Sequence, residues 1–258
     1  MPLLIGTSGW QYKHWDRRFY APDLAKGEQL GRYAELFRTV EVNATFYRLP
    51  TAEVFLSWER ETPADFIFVV KASRFLTHMK KLKDPEEPVA RLMERARGLG
   101  GKLGAVLLQL PPQMRCDPGR LDAALALLSA RAPVAVEFRE GSWYCAEVES
   151  VLARHGAALC LADRGAQPIT PLWRTADWGY LRFHGGSASP PGCYTEETLD
   201  AWAARATELW DREATVYAFF NNDWYLCALR DAAVFAQAAR RRGWETTRTP
   251  EPESIRLG

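Results

Sequence analysis

The sequence has almost no net charge and no long apolar run. Its 258 residues include 33 Lys and Arg against 32 Asp and Glu, a formal net charge of +1. Bulk electrostatic attraction to nucleic acid or to an anionic membrane is therefore not expected, although a local basic patch is still allowed. The longest apolar runs, such as residues 105–110, are far too short to span a bilayer. The first residues lack the basic and apolar regions of a signal peptide, so we expect a soluble, cytoplasmic protein.

Cysteine is scarce and its spacing is irregular. The five cysteines include no Cys-x-x-Cys pair and no histidine at ligand spacing. This argues against a disulfide framework and against a structural zinc site. Hydrophobic residues make up 47% of the chain and charged residues 25%, which are values typical of a folded globular domain and exclude a disordered one.

Eight short apolar runs occur at regular intervals along the chain. Each has four to six residues, is rich in β-formers and ends at a turn or polar signal, which favours strands buried on both faces. The runs cover residues 3–6, 39–42, 66–71, 105–110, 134–139, 158–163, 180–184 and 215–220.

Amphipathic helical patterns with recognisable ends lie between these runs. Asp84 and Asp117 each precede a proline, as a helix N-cap does, and Thr195 can cap a later helix. Gly156 and Gly243 are positioned to end two helices. We therefore predict strand followed by helix, eight times.

Eight such units in roughly 250 residues match a closed (β/α)₈ TIM barrel. A doubly wound open sheet is the alternative, but residues 6–10 do not form its glycine fingerprint. We predict one barrel domain over residues 1–244. Residues 245–258 contain two prolines and no periodic pattern, and are expected to form an extended tail.

Motifs spread over most of residues 3–235 are similar to those of one known family. They are Gly6–Trp10, Val40–Arg48, Phe68–Ala72 with Thr77-His78, Gln109–Pro112, Val136–Arg139 with Ser142-Trp143, Arg182–Gly185 and Phe220–Asn222. On these motifs the chain resembles the YecE-like family, the domain of unknown function numbered seventy-two. The resemblance implies a TIM-barrel-like fold and no particular activity. Two positions depart from the family pattern, since Gly186 stands where a basic residue is common and Asp231 where Asn is expected.

Polar side chains collect at the carboxyl ends of the predicted strands, where TIM barrels carry their active sites. Residues two apart on a strand lie on the same side of it. Glu41 with Asn43, Glu137 with Arg139, and Arg182 with His184 are such pairs. The remaining polar residues at these ends are Lys71, Gln109, Asp163, Asn221 and Asn222.

Two interpretations of these polar side chains remain open. They can be a structural network in which Glu41 and Glu137 neutralise the nearby Lys71, Arg139 and Arg182. Alternatively they bind a ligand, because a purely structural interior would be more stable if it were apolar.

An anionic ligand suits the residues of this end. Arginine forks match phosphate or carboxylate geometry, and lysine supplies a point charge. The basic segment Arg74–Lys83 lies in the loop after the third strand, where it can equally be solvated. The loop Gly185–Ser189 resembles segments with which barrels bind phosphate through backbone N–H groups.

The first functional hypothesis is an enzyme acting on a small anionic substrate that is phosphorylated or sugar-like. Glu41 or Glu137 would act as the base, His184 as the acid, and Lys71 would bind the anion or form a Schiff base. We expect substrate contacts from Arg139, Arg182, Asn43, Tyr47, Gln109, Trp143, Asn221 and Asn222.

A metal is not predicted, but one divalent ion remains an alternative. Glu41, Glu137, Asp163 and His184 could together hold Mg²⁺ or Mn²⁺. No Ser-His-Asp set or nucleophile elbow is present. The sequence identifies no cofactor and leaves the oligomeric state open.

The second hypothesis is a module that binds nucleic acid or a nucleotide without catalysis. The segment Arg74–Lys83 would contact phosphates, and aromatic rings would stack on bases. The rings predicted at this end are Trp10, Tyr12, Phe46, Tyr47, Trp143, Tyr144, Tyr194, Trp224 and Tyr225.

Overall fold

The computed structural model describes residues 3–257, and its main feature is a closed parallel barrel. Eight strands within this range pair in the order β5-β4-β3-β2-β1-β9-β8-β6, and pairing of β5 with β6 closes the ring. The predicted (β/α)₈ barrel is confirmed. The barrel strands are β1 (Leu3–Thr7), β2 (Thr39–Val42), β3 (Ile67–Lys71), β4 (Leu103–Gln109), β5 (Val134–Glu137), β6 (Ala158–Arg164), β8 (Gly179–Phe183) and β9 (Val216–Phe220). The two-residue β7 (Gln167–Pro168) pairs antiparallel with the end of β6.

Helices cover the outside of this barrel. Asp117 accepts a hydrogen bond from the Arg120 N–H at 3.1 Å, and Thr195 accepts one from the Thr198 N–H at 3.3 Å, as N-caps do. Gly156 and Gly243 adopt positive φ just after helices end, as predicted. The helices are α1 (Gln29–Leu36), α2 (Ala44–Tyr47), α3 (Ala52–Glu61), α4 (Glu86–Ala96), α5 (Pro118–Ser129), α6 (Ala146–Arg154), α7 (Glu196–Leu209) and α8 (Cys227–Arg241).

Two local predictions about helices are wrong. Asp84 does not cap α4, because its carboxylate faces Lys80 at 3.2 Å and its φ is positive. No helix lies between β6 and β8, where prolines at 168 and 171 oppose helix formation. Thr170 and Thr175 instead bind the backbone of β6 through their hydroxyl groups, which satisfies N–H groups there.

The disulfide prediction is also wrong. Cys193, in the loop after β8, is bonded to Cys227, the first residue of α8, with 4.9 Å between their Cα atoms. The two cysteines are 34 residues apart, so their relation is invisible in local spacing. An odd cysteine count excludes only complete pairing, and Cys116, Cys145 and Cys160 are free.

Residues after α8 lie against the amino-terminal strand. The Leu3 N–H donates to the Glu245 carbonyl at 2.7 Å, and the Thr247 N–H donates to the Leu3 carbonyl at 3.0 Å. The Thr247 hydroxyl accepts from the Ile5 N–H at 3.1 Å. The start of the predicted tail is thus bonded to β1. Across residues 3–257, none of the helices combines the length and the apolar character needed to cross a bilayer.

Candidate functional site

Alternation along the strands brings polar side chains into the barrel interior near the carboxyl ends. Tyr180 of β8 belongs to the apolar interior cluster, and Arg182 and His184 follow it at steps of two residues. The same alternation places side chains from β2, β3, β4, β5 and β9 in this region. We call the following set the mouth cluster: Glu41, Asn43, Lys71, Gln109, Glu137, Arg139, Arg182, His184 and Asn221.

Arg182 joins the two carboxylates of the mouth cluster. Its Nε lies 2.9 Å from Glu41 Oε2 and its Nη2 lies 2.5 Å from Glu41 Oε1, while its Nη1 lies 2.6 Å from Glu137 Oε2. Tyr180 donates its hydroxyl hydrogen to Glu41 Oε2 at 2.5 Å. All four side chains are buried. Burial alone would raise the pKa of Glu41, but Arg182 and Tyr180 outweigh it and hold the pKa below its usual value.

Glu137 is bound on every side. Its Oε1 lies 2.6 Å from Arg139 Nη2 and 3.0 Å from His184 Nε2, and its Oε2 also accepts from Gln109 Nε2 at 2.9 Å. Burial would raise its pKa, but Arg182, His184 and Arg139 together hold the pKa well below its usual value. Glu41 and Glu137 are therefore ionised near neutral pH and strongly engaged, which makes them poor proton acceptors.

His184 connects this ion network to the amide side chains of Asn221 and Asn43. Asn221 Nδ2 lies 3.3 Å from His184 Nδ1, and Asn221 Oδ1 accepts from Asn43 Nδ2 at 3.4 Å. Asn43 Nδ2 also donates to the Ser8 carbonyl at 3.1 Å. Burial lowers the pKa of His184 below its usual 6.5, with the Glu137 carboxylate opposing the shift only in part. The imidazole of His184 is therefore neutral at pH 7.

Lys71 differs from the other charged groups of the mouth cluster. It ends β3 with only 8% of its surface exposed, and no carboxylate of the described residues lies within ion-pair distance. Its Nζ lies 4.4 Å from the centroid of the Phe46 ring. Burial, reinforced by Arg182, lowers the pKa of Lys71 to about 8. The glutamates thus form ion pairs with Arg139 and Arg182 but none with Lys71, whose charge they favour only from a distance beyond an ion pair.

Two further polar atoms of the mouth cluster lack a partner. Arg139 Nε and Asn43 Oδ1 are buried, and neither makes a hydrogen bond with another described residue. A buried donor or acceptor without a partner costs about 1 to 3 kcal/mol. These two atoms and the Lys71 ammonium are groups to which the described residues supply no hydrogen bond or ion pair.

Besides Tyr47, which is exposed beside α2, three predicted site residues lie outside the mouth cluster. Asp163 is three residues from the interior Cys160 and so faces outward, where it accepts from Tyr194 Oη at 2.5 Å and Trp202 Nε1 at 2.7 Å. Asn222 also points away from the mouth, because it directly follows Asn221, and it donates to Asp231 Oδ2 at 2.7 Å. The third, Trp143, packs in the core between barrel and helices: it stacks on Phe138 and donates to the Met114 carbonyl at 2.6 Å.

The four-ligand metal set is not assembled. Asp163 is turned away from Glu41, Glu137 and His184, since its partners belong to the loop before α7 and to α7 itself. Within residues 3–257, no group of three or more His, Cys, Asp or Glu side chains is arranged to hold a metal ion.

The glycine loop after β8 does not offer the backbone donors expected of a phosphate site. The Gly185 N–H donates to Tyr194 Oη at 3.0 Å, the Gly186 N–H to the Gly192 carbonyl at 3.0 Å, and the Ala188 N–H to the Cys193 carbonyl at 2.9 Å. A Cβ atom on Gly186 would lie 2.3 Å from the Cys193 carbonyl oxygen. Close backbone approach within the loop therefore explains this glycine.

Two concave surfaces adjoin the mouth cluster. A cavity of about 200 Å³ is lined by residues 8–12 together with Asn43 and Ala44. A groove of about 400 Å³ beside α2 includes Tyr47, which is 80% exposed, with Arg74 and Phe75. A larger cavity of about 650 Å³ between Leu103 and Arg131 lies at the amino ends of the strands, away from the ion network.

The aromatic residues predicted at this end divide into two groups. Trp10 and Tyr194 are buried, whereas Tyr47, Trp224 and Tyr225 are exposed. Tyr180 was missed by the sequence analysis, although it precedes Arg182 by two residues and the same periodicity identifies it. Phe46 was predicted only as a stacking ring, and its contact with Lys71 depends on the turn made by α2.

Comparison with protein families and curated proteins gives consistent matches. Residues 4–255 match the family model described as "Protein of unknown function DUF72". The chain is 26% identical over 254 residues to UPF0759 protein YunF of Bacillus subtilis (strain 168), covering 86% of this chain and 89% of that protein. It is 32% identical over 109 residues to UPF0759 protein YecE of Escherichia coli (strain K12), covering 42% of this chain and 38% of that protein.

Solved structures agree with these matches. A DUF72 family protein from Thermotoga maritima MSB8 superposes with a TM-score of 0.79 at 29% identity, covering 93% of this chain and 100% of that one. A DUF72 family protein from Enterococcus faecalis V583 is similar in fold, with a TM-score of 0.75 at 18% identity over 92% of this chain and 95% of that one. The resemblance to the YecE-like proteins is thereby confirmed, and the chain belongs to the DUF72 family.

Proposed function

We propose that this protein is an enzyme that binds a small anionic substrate at the mouth cluster. The observation that carries the proposal is Lys71, a side chain only 8% exposed whose ammonium group forms no ion pair with a carboxylate of the described residues. The cluster contains three permanent or predominant cations, Arg139, Arg182 and Lys71, against the carboxylates Glu41 and Glu137. Three positive and two negative charges leave one positive charge, which an anion would balance.

The donor and acceptor set favours a substrate that carries an acidic group. The cavity of about 200 Å³ next to Asn43 is lined by residues 8–12 with Asn43 and Ala44, so it adjoins the Asn43 amide and not the cations. Arg139 Nε can donate to a carboxylate or phosphate oxygen, and Asn43 Oδ1 can accept from a hydroxyl group. These features suit a molecule that carries an acidic group and a hydroxyl or carbonyl group.

The proposed roles differ from those expected from the sequence. We assign Glu41 and Glu137 to positioning, because both accept hydrogen bonds from Arg182 and neither has a free oxygen. Proton transfer is assigned to His184, which is neutral at pH 7. Its Nε2 contacts Glu137 and Arg139, so Nδ1, which faces the Asn221 amide at 3.3 Å, is the nitrogen that would accept a proton. Arg182 holds the two carboxylates, so Arg139 and Lys71 are the cations left for substrate.

Ligand-induced stabilisation tests the proposal. Thermal unfolding would be followed with inorganic phosphate, pyruvate, lactate, dihydroxyacetone phosphate and ribose 5-phosphate as separate probes. A ligand at a hundredfold its dissociation constant adds about 2.7 kcal/mol, or about 5 to 10 °C for a chain of this size. We expect at least one probe to raise the melting temperature of the wild type.

Matched lysine variants localise the effect. Lys71→Met should abolish the shift, whereas Lys83→Met, in an exposed position of the loop that follows Lys71, should retain it. An equal shift in both variants would place the anion elsewhere. No shift with any probe would contradict a small anionic substrate of these classes.

Nucleic acid is the second candidate ligand, favoured by one observation. The groove beside α2 combines the exposed rings of Tyr47 and Phe75 with the guanidinium groups of Arg74 and Arg91. Exposed rings beside cations suit single-stranded nucleic acid, which stacks its bases and neutralises its phosphates.

Binding of a fluorescent single-stranded oligonucleotide at several salt concentrations tests this candidate. Affinity should fall as salt rises and should weaken in Arg74→Gln. Lys26→Gln, in an exposed ion pair with Asp16, is the control for a general loss of surface charge. Undetectable binding at low salt would remove the candidate.

A further inference from the structure

The backbone that carries Lys71 is held firmly. The Thr45 hydroxyl donates to the Lys71 carbonyl at 2.6 Å and to the Val42 carbonyl at 2.8 Å. The next N–H, that of Ala72, donates to the Leu107 carbonyl at 2.9 Å. Lys71 therefore projects from a rigid strand end, as a precisely positioned reactive group should.

The Lys71 amine lies in an environment that disfavours its positive charge. The side chain is nine-tenths buried, and the guanidinium groups of Arg182 and Arg139 repel an ammonium group. Together these effects outweigh the attraction of the Phe46 ring face and of the Glu41 and Glu137 carboxylates. With a pKa of about 8, roughly a quarter of the molecules carry the neutral amine at pH 7.5. An ordinary lysine carries about one neutral amine in a thousand at that pH.

A buried ammonium that only bound an anion would need no such environment. Arginine binds carboxylate and phosphate with better geometry and keeps its charge, and this chain already has Arg139 in the same cluster with Nε unpartnered. What a lysine with a lowered pKa adds is a nucleophilic nitrogen. We propose that Lys71 forms a protonated imine with the carbonyl carbon of a small substrate that also carries a carboxylate or phosphate group.

The reaction balances without an oxidant or reductant. The Lys71 ammonium loses one proton, and the neutral amine adds to the carbonyl carbon while the carbonyl electron pair moves to oxygen. Proton transfer from nitrogen to that oxygen gives a carbinolamine. The proton lost at the start returns to the hydroxyl group, which leaves as water as the nitrogen lone pair forms the C=N bond. An ammonium ion and a carbonyl become an iminium ion and water, with one positive charge on each side.

The surroundings of Lys71 suit this product. The iminium ion keeps the positive charge that the Glu41 and Glu137 carboxylates already stabilise from nearby. The acidic group of the substrate would pair with Arg139, whose Nη2 stays bound to Glu137 while Nε is unpartnered. His78 packs edge-on against Phe46 with 4.8 Å between ring centroids, and the Lys71 charge contributes to lowering the pKa of His78, so both side chains contact the same ring.

This inference rests on the proposed function, and reductive trapping tests it. Purified protein would be incubated with pyruvate or dihydroxyacetone phosphate, reduced with sodium borohydride, and measured by intact mass and peptide mapping. We expect one reduced adduct per chain, located at Lys71. Trapping should fall at least tenfold in Lys71→Met and Lys71→Arg and remain unchanged in Lys83→Met.

The Lys71→Arg variant separates the two proposals. Arginine keeps the positive charge but forms no imine, so this variant should still be stabilised by the anion and give no adduct. Melting-temperature shifts with pyruvate and lactate alike, but no trapped adduct in the wild type, would overturn the imine and leave anion binding intact. Absence of both shift and adduct would overturn both proposals.

Folding of the variants does not limit the test, because the wild type also decides it. An adduct mapped to any lysine other than Lys71 would overturn the inference. So would a trapping rate that does not increase as the pH rises from 6 towards 8, since the neutral amine is the attacking species.

Discussion

Near the amino ends of the strands, the barrel interior is filled by Leu4, Val69, Ala105, Leu107 and Tyr217, which pack as an apolar cluster. Near the carboxyl ends, the same strands place Glu41, Glu137, Arg182 and the rest of the mouth cluster in the interior. Both regions are formed by every second residue of the strands; the amino-end region is buried, and in the mouth cluster Glu41, Lys71, Glu137 and Arg182 are buried while the other members are half-buried. They differ only in whether the buried group needs a partner of opposite charge.

Folding stability alone does not explain why the interior at the carboxyl ends contains charged groups. An apolar filling would be as stable as a buried ion network or more so, because desolvation of charges costs several kcal/mol per ion. The network of Arg182 with its two carboxylates compensates itself, whereas Lys71 forms no ion pair and Arg139 Nε makes no hydrogen bond with a described residue. These incompletely partnered groups are therefore the part of the mouth cluster best explained by a ligand.

Removal of Glu137 should produce the largest effect. Without this carboxylate, Arg182 keeps one anionic partner and Arg139 keeps none. We expect Glu137→Ala to lower the free energy of unfolding by about 3 to 5 kcal/mol, measured by urea denaturation. Leu107→Ala, in the apolar half, should cost about 2 to 5 kcal/mol through its cavity. A cost for Glu137→Ala below about 1 kcal/mol would show that the charges are solvated and that the two halves do not differ as described.

The Cys193–Cys227 disulfide should contribute almost as much to the free energy of unfolding. Crosslinking residues 34 apart restricts the unfolded chain, which corresponds to about 3 to 4 kcal/mol. Cys193→Ala should therefore lower the free energy of unfolding by that amount, whereas Cys116→Ala, which removes a free thiol, serves as the control. If dithiothreitol leaves the melting temperature of the wild type unchanged, the crosslink does not stabilise the mouth end.

Replacement of Lys71 should raise the free energy of unfolding, whereas the changes above lower it. Its pKa is lower in the folded chain than the usual 10.5, so the unfolded chain binds more protons between pH 8 and 10.5 and stability rises with pH there. Below pH 8 the folded protein carries the full destabilisation from its buried, protonated Lys71. Lys71→Met should thus stabilise the protein by about 1 to 3 kcal/mol at pH 7.

Urea denaturation at several pH values checks this prediction. The advantage of Lys71→Met over the wild type should decrease from pH 8 to pH 10. Lys83→Met should show no such dependence, because its side chain is exposed in both states. A destabilised Lys71→Met at pH 7 would mean that the contact of the ammonium with Phe46 outweighs its desolvation.

The smallest effect concerns His184. Its folded pKa lies below 6.5, so the unfolded chain binds more protons and stability is lost as the pH falls below about 6.5. We expect a loss of less than about 1 kcal/mol between pH 7 and pH 6, which His184→Asn should remove. NMR titration of the imidazole measures the pKa directly. A midpoint above 6.5 would show that Glu137, and not burial, dominates at this residue.

The sequence predicted the strands and much of the mouth cluster because both depend on a period of two. Arg182 and His184 could be paired in this way without any knowledge of the fold. The same rule, applied from Cys160, would have turned Asp163 outward, and applied from Asn221 it would have excluded Asn222. Those two errors came from treating every polar residue near a strand end as facing the mouth.

Other features depend on contacts that no local pattern records. The Cys193–Cys227 bond joins segments brought together only by the fold. The segment after β6 forms no helix, and two of its threonine hydroxyl groups accept hydrogen bonds from N–H groups of β6, which no local pattern predicts. The unpaired state of Lys71 could not be predicted either, since it follows from Arg182 occupying both carboxylates.

The bonds between Leu3 and residues 245–247 also have a consequence for synthesis on the ribosome. The strand β1 leaves the ribosome well before its partners β9 and Thr247 are made. Until then β1 has an open edge, which could pair with other nascent chains. Ring closure therefore has to wait for β9, and the open edge of β1 must be kept from pairing wrongly until then.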